Sequence, residues 1–203
     1  MEQRSDEWFA ARLGKVTASK VSCVTSKTQS GYGSSRETYM TQLVLERITN
    51  TPTTFFSNAA MQWGTDQEPF ARAAYEAAID VLVDEEGFVP HPTILMSGAS
   101  PDGLVRNDGL VEIKCPNSAT HKKTLLSNKA ESKYINQMQW QMACTGRKWC
   151  DFVSYDPRFP EHLQLFVTRV FRDDELIAHL ESEVATFLKE VSEEINKLNE
   201  LKL

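Results

Sequence analysis

Asp102, Glu112 and Lys114 are the residues whose types and spacing suit chemistry. In Leu110-Val111-Glu112-Ile113-Lys114-Cys115, read with the two-residue alternation of a strand, Leu110, Glu112 and Lys114 share one face and Val111, Ile113 and Cys115 the other. The run is apolar enough to be buried, yet one face carries a carboxylate and an ammonium. Just upstream, Pro101-Asp102-Gly103 is a turn signal that delivers a second carboxylate. Burying two acids and a lysine without partners costs several kcal/mol per ion. A divalent cation offsets most of that cost, since Mg²⁺ takes one or two carboxylates together with substrate phosphate. A lone Glu-x-Lys also suits an ordinary surface hairpin. The Pro-Asp turn, the short loop and the apolar strand together point to a site.

The surrounding sequence supplies elements to hold these groups. Ser5-Asp6-Glu7-Trp8 is a helix start, with Trp8 and Leu13 inward and Gly14 at the C′ position. A second short helix is expected over 16–21, then a mobile Gly/Ser-rich connection over 26–36. Tyr39, Met40, Leu43, Val44 and Ile48 predict a helix over 35–49. A Thr/Pro-containing linker follows, then a helix over 58–79 with Met61, Phe70, Ala74 and Tyr75 as its apolar face and Glu68 one turn after Gly64. Strands are expected over 81–83, 88–89, 93–99 and around Glu112. Residues 117–148 are polar and then helical, with Tyr134, Met138 and Met142 four apart. Two alternating strands, 149–155 and 163–171, precede one long helix marked by Leu176, Ile177, Leu180, Val184, Phe187, Val191, Ile195 and Leu198. The order predicts an α/β fold with a central mixed β-sheet flanked by helices.

Asp102, nine intervening residues and Glu112-Ile113-Lys114 resemble the PD-(D/E)XK nuclease signature, whose core is restriction-endonuclease-like. The longer pattern is similar to one branch of that superfamily, the lambda-type alkaline exonucleases (YqaJ-like viral recombinases). Phosphodiester hydrolysis needs an activated water, charge stabilisation at phosphoryl oxygens and help for the leaving oxygen, which one or two Mg²⁺ ions can supply, with Mn²⁺ as a substitute. Asp102 and Glu112 are then the expected direct metal ligands, with the Ile113 backbone carbonyl as a third. Lys114 would contact the attacking water and the scissile phosphate, as a base or only as an orienting group. The resemblance implies further roles. Trp63-Gly64-Thr65-Asp66-Gln67-Glu68 is similar to the family helix carrying a metal-associated glutamate, which makes Glu68 a metal candidate. Tyr134-Ile135-Asn136-Gln137 resembles the family's Tyr/Gln helix, and Tyr134 and Gln137 are the expected polar contributors, with Gln139 and Gln141 as register alternatives. Arg12-Leu13-Gly14 followed by Thr17-Ala18-Ser19 resembles the start of the family fold, where Arg12 and Ser19 would bind a terminal DNA 5′-phosphate, with Ser100 a further candidate. Tyr155-Asp156-Pro157-Arg158 resembles a family strand end that serves the fold.

Net charge −6 and pI ≈ 5.3 are unusual for a protein that would track DNA. The charge is unevenly spread, however. Residues 1–50 carry 7 basic and 5 acidic residues, and 101–150 carry 8 and 4, whereas 51–100 carry 1 and 7 and 151–203 carry 6 and 12. A locally basic surface on an acidic body is compatible with a phosphate backbone. The four cysteines have no Cys-x-x-Cys spacing, so reduced, mostly buried thiols are expected and zinc is not. No apolar run approaches a membrane span and no signal-peptide pattern is present, so a cytoplasmic location and no membrane contact are expected. The length predicts one nuclease domain over 1–203, with its core about 5–172 and a C-terminal helix about 173–200. The resemblance implies a Mg²⁺-dependent 5′→3′ exonuclease acting on double-stranded DNA ends and leaving 3′ tails. It also implies a ring-shaped homotrimer, a single-strand annealing recombinase as partner, and a phage or prophage origin in a bacterial host. A structure- or site-specific endonuclease of the same superfamily, and a catalytically idle DNA-binding protein, are the alternatives; the complete set Glu68, Asp102, Glu112 and Lys114 argues against the idle one.

Overall fold

The structure is a computed structural model that describes residues 1–29, 31–53 and 58–201, so Ser30 of the Gly/Ser-rich stretch and residues 54–57 of the Thr/Pro linker lie outside the described residues. The chain opens with α1 (Asp6–Arg12), β1 (Val16–Thr17), a 3₁₀ turn and α2 (Val21–Val24). A small hairpin, β2 (Lys27–Thr28) and β3 (Gly31–Tyr32), leads to α3 (Ser34–Thr49) and α4 (Ala59–Ile79). Then come β4 (Val83–Asp84), β5 (Val89–Pro90), β6 (Ser97–Ala99), β7 (Gly103–Val105) and β8 (Gly109–Lys114). Helices α5 (Ser118–Ser127) and α6 (Ser132–Thr145) precede β9 (Trp149–Tyr155), β10 (Leu165–Phe171) and the long α7 (Asp174–Asn199).

The main sheet has five strands in the order β10-β9-β8-β7-β4. Its centre, β8 against β9, is parallel, and the other pairs are antiparallel. A parallel pair cannot be joined by a tight turn, and α5 and α6 form the crossover. Both faces are therefore covered. Val111, Ile113 and Val153 pack under Ala71 and Tyr75 of α4, while Leu110, Cys150 and Phe152 pack under Met138 and Met142 of α6. The expected alternation along β8 holds residue for residue. Glu112 faces α6 with Leu110, and it stands opposite Phe152 in the parallel register. A second, three-stranded sheet (β1-β6-β5) pairs Val16 with Ser97, so the N-terminal segment sits beside the turn that carries Asp102. A third cluster gathers Tyr39, Leu43, Leu180, Val184 and Phe187 between α3 and α7.

Several expected elements differ. Residues 16–21 begin as a strand before turning helical, because Val16 and Thr17 pair with β6. The expected strand over 93–99 shrinks to Ser97–Ala99, since the buried His91 ring accepts the backbone N–H groups of Thr93 and Ile94 and holds them in a turn. Leu82 is exposed and only Val83–Asp84 pairs. On α4 the inward residues are Ala71, Ala74 and Tyr75; Phe70 is one residue off that face, about 100° around the helix, and it and Met61 are exposed. Ile48 and Leu198 also face out. Within the 26–36 stretch, Lys27–Thr28 pairs with Gly31–Tyr32, and this pair is tied to α7, where Glu183 accepts from Lys27 and Tyr32. All four cysteines are free thiols, Cys144 and Cys150 buried and Cys23 and Cys115 half-buried.

Phe152 is fully buried between the sheet and α6. Phe152→Ala is expected to cost about 3–5 kcal/mol of unfolding free energy, measured by urea denaturation, and a loss under about 1 kcal/mol would contradict this packing.

Candidate active site

The Asp102 turn is built by a strand change. The chain leaves the small sheet after Ala99 and enters the main one at Gly103, where a Cβ would fall 2.0 Å from a Val83 methyl, so only glycine lets β7 pass β4. Pairing of β7 with β8 runs no further than Val111. The Ile113 N–H beyond it is instead captured by Asp102, donating to Oδ2 at 2.6 Å. In an extended strand the N–H and C=O of one residue point to the same edge, so the Ile113 carbonyl also faces the Asp102 side.

Glu112 is completely buried. Its Oε1 accepts from Gln137 Nε2 at 2.5 Å and its Oε2 from Gln141 Nε2 at 2.6 Å, while Lys114 Nζ makes an ion pair with Oε1. Gln137 and Gln141 lie one helical turn apart on α6 and so share a face. Gln139, one of the two register alternatives, points elsewhere, donating to the Phe171 carbonyl and accepting from the Asp173 N–H, whereas Gln137 and the other alternative, Gln141, both meet Glu112. Tyr134 stacks on Phe152 with ring centroids 5.6 Å apart, and Lys114 Nζ lies 5.1 Å from its ring. Burial, then the charge of Glu112, pushes the Asp102 carboxyl up to about 8. Burial works against the Lys114 charge, but Glu112 and Asp102 outweigh it and hold the ammonium above its usual pKa.

These groups border one cleft of about 640 Å³ whose walls include Asp102, Ile113, Lys114, Tyr134 and Gln137, together with Glu68, Arg12, Ser19 and Ser100. Glu112 stands behind that wall, without exposure. Glu68 is in the cleft, but its carboxylate is engaged: Arg4 donates to Oε2 at 2.6 Å and Arg72 to Oε1 at 3.3 Å. Beside Ser100, Arg12 Nη1 donates to Ser100 Oγ at 2.9 Å and its guanidinium lies 4.0 Å from the Trp8 ring centre. Burial lowers the Arg12 pKa to about 10, and among the described residues no carboxylate pairs with it. Ser19 is exposed at the same opening, its Oγ 3.4 Å from Thr17 Oγ1. The structure thus brings the expected residues to one cleft, with Glu112 behind its wall.

Among the described residues no group of three or more His, Cys, Asp and Glu side chains is gathered tightly enough to hold a metal ion by itself. Asp102, Glu112 and the Ile113 carbonyl are oxygen donors, the chemistry a hard divalent cation takes when water and substrate oxygens fill its remaining positions. Burial first, and then the charge of Glu112, raises the Asp102 carboxyl, and Lys114 is the cation that offsets the pair. Two residues contribute more than their sequence context suggests. Gln141, a register alternative on sequence, shares a face with Gln137 through their four-residue spacing and meets Glu112. Trp8, expected only to face inward, stands four before Arg12 on α1 and meets Ser100.

The family model for the YqaJ-like viral recombinase domain matches residues 7–148 of this chain. Among solved structures, an alkaline exonuclease from Laribacter hongkongensis (LHK-Exo) is 54% identical, with 96% of each chain covered and a TM-score of 0.90. The complex of LHK-Exo with dAMP matches at 55% identity, with the same coverage and TM-score. A phage-related exonuclease from Haemophilus somnus 129PT shares the fold, with a TM-score of 0.72 at 14% identity over 91% of this chain and 96% of that one. No curated protein sequence matches.

The raised Asp102 carboxyl has a consequence for metal-free protein. Between the ordinary carboxylate range and about pH 8 the folded state holds a proton that the unfolded state has lost, so this group's contribution to stability falls as pH rises and levels off above about 8. Asp102→Asn, which keeps an oxygen for the Ile113 N–H, is expected to gain stability over wild type as pH rises from 5 to 9 in EDTA. A difference that stays flat in chemical denaturation across that range would contradict it.

Proposed function

The chain belongs to the YqaJ-like viral recombinase domain family, and on that premise we propose that it is a Mg²⁺-dependent exonuclease that digests one strand of linear double-stranded DNA from its 5′ end. Membership of the family and the close likeness to an alkaline exonuclease support a DNA-hydrolysing nuclease. The observation that carries the finer reading is Arg12: a largely buried guanidinium without a carboxylate partner, in the same cleft as Asp102 and Lys114. A buried cation left without an anion suits an anionic ligand. With Ser19 and Ser100 beside it, the ligand that fits is a terminal 5′-phosphate, and guanidinium geometry matches its oxygens.

In this reading Asp102, Glu112 and the Ile113 carbonyl hold Mg²⁺, or Mn²⁺ in its place, and Glu68 joins them once its arginines release it. When bound, the ion supplies charge stabilisation at the phosphoryl oxygens and lowers the pKa of water. The protein's own groups do the rest. Gln137 and Gln141 fix both oxygens of Glu112, so its carboxylate cannot swing when the cleft fills. Tyr134 limits where the Lys114 ammonium can go, and Lys114 in turn orients the attacking water and the scissile phosphate. In the metal-free site, against burial, Glu112 and Asp102 hold the Lys114 ammonium above its usual pKa, which supports a charged orienting group. Arg12, Ser19 and Ser100 hold the 5′ end, so nucleotides leave from that end and a 3′ single-stranded tail remains. A single-strand annealing recombinase is the partner such a tail suits, and a ring of three subunits around the duplex, in the cytoplasm of a bacterium carrying a phage or prophage, is the arrangement the family resemblance supports. Among the described residues no helix is long and apolar enough to cross a membrane.

End-labelled substrates test this. Linear duplex with a 5′-phosphate is expected to release mononucleotides from the 5′-labelled strand, closed circular duplex to stay intact, and EDTA to stop the reaction. Nicking of the circle would favour an endonuclease, and binding without cleavage in saturating Mg²⁺ an idle scaffold. Lys114→Ala is expected to lower the rate by about two orders of magnitude or more while DNA binding changes little; unchanged turnover would remove Lys114 from the mechanism. Arg12→Ala is expected to erase most of the preference for phosphorylated over hydroxyl 5′ ends, and an equal loss on both would count against that role.

A further inference from the structure

We propose that Trp8 is a positioning residue: it makes the Ser100 hydroxyl an obligate hydrogen-bond donor, and the cleft thereby selects a 5′-phosphate over a 5′-hydroxyl end. This rests on the 5′-phosphate reading above and assigns a cause to its selectivity. A serine hydroxyl has one proton to give and two lone pairs to receive. Both lone pairs of Ser100 are taken. Trp8 Nε1–H donates to Oγ at 2.9 Å, and Arg12 Nη1–H donates to it at 2.9 Å. Indole N–H and guanidinium are donor-only groups, so these directions hold wherever hydrogens are placed.

The Ser100 proton is what remains. Among the described residues no protein acceptor is recorded for it, and Ser100 borders the cleft two residues before Asp102. It therefore faces whatever enters. A phosphate oxygen is an acceptor with negative charge and meets this proton and the remaining N–H groups of Arg12 without conflict. A 5′-hydroxyl has lone pairs to accept with but no negative charge to meet Arg12, and its own proton finds no free lone pair on Ser100. Trp8 also fixes Arg12 from below, since its ring lies 4.0 Å from the guanidinium, one helical turn away on α1. The helix end is pinned for this: Ser5 Oγ accepts the Trp8 backbone N–H at 3.2 Å. Satisfying one indole N–H would need only a single acceptor anywhere nearby. Sharing that acceptor with the buried arginine is what ties Trp8 to the ligand.

The test compares kcat/KM on linear duplex with 5′-phosphoryl and 5′-hydroxyl ends for wild type, Trp8→Phe, Ser100→Ala and the double variant. Trp8→Phe keeps a ring under Arg12 and removes the N–H. The phosphate-to-hydroxyl ratio is expected to fall about five- to tenfold, through KM, as for loss of an ordinary hydrogen bond. Ser100→Ala, which leaves the Trp8 ring in place, is expected to lower it by a similar factor, and adding Trp8→Phe to it to change the ratio no further. A wild-type ratio in Trp8→Phe, or an equal further drop in the Ser100→Ala background, would overturn the role. If wild type shows no preference and Arg12→Ala alters nothing, the 5′-phosphate reading fails with it. A preference lost in Arg12→Ala but kept in Trp8→Phe sinks the Trp8 role alone.

Discussion

A carboxylate with no access to water organises this molecule. Glu112 lies in the middle of the central sheet, where an unpaired charge would cost several kcal/mol. Lys114, two residues on along the same strand face, supplies the opposite charge, and two glutamine amides occupy the oxygens. That arrangement needs a helix laid across β8, and the parallel pairing of β8 with β9 is what brings α6 there. The same crossover sets Met138 and Met142 over Leu110 and Phe152, so the apolar core that fixes α6 also fixes Gln137 and Gln141. Packing and chemistry share one set of constraints.

The cleft in front of Glu112 carries both signs of charge. Asp102 and Glu68 bring negative charge to its wall, and Arg12, hydrogen-bonded to Ser100, is a largely buried cation there without an acid. Glu68 is answered by Arg4 and Arg72. A ligand that is itself anionic, arriving with a divalent cation, complements both at once. This also explains how a chain of net charge −6 can act on DNA: the cation that matters is buried at the site, and the surplus acid lies on surfaces such as the outer face of α7.

Much of this was legible in the sequence because some elements carry chemical labels on both faces. Strand β8 declares its register, since Glu112 and Lys114 alternate with Val111 and Ile113. The long α7 declares itself through Ile177, Leu180, Val184 and Phe187 at three- and four-residue steps. What stayed hidden depends on contacts distant in sequence. Strands of two residues, such as Val16–Thr17, are too short to show a period. His91 reshapes 93–96 by taking N–H groups that a strand would have used. Met61 and Phe70 are apolar yet exposed, so hydrophobicity alone misplaced the face of α4. Gln141 and Trp8 look ordinary until the fold sets one against Glu112 and the other against Ser100.

The central claim is that Asp102 and Glu112, each fixed by hydrogen bonds from its neighbours, receive a divalent cation between them. Anomalous diffraction from crystals soaked in Mn²⁺ tests it most directly. A peak bounded by carboxylate oxygens of Asp102 and Glu112 and by the Ile113 carbonyl is the expected result. Saturating Mn²⁺ with no peak there, and Glu112 still bound only by Lys114, Gln137 and Gln141, would contradict it.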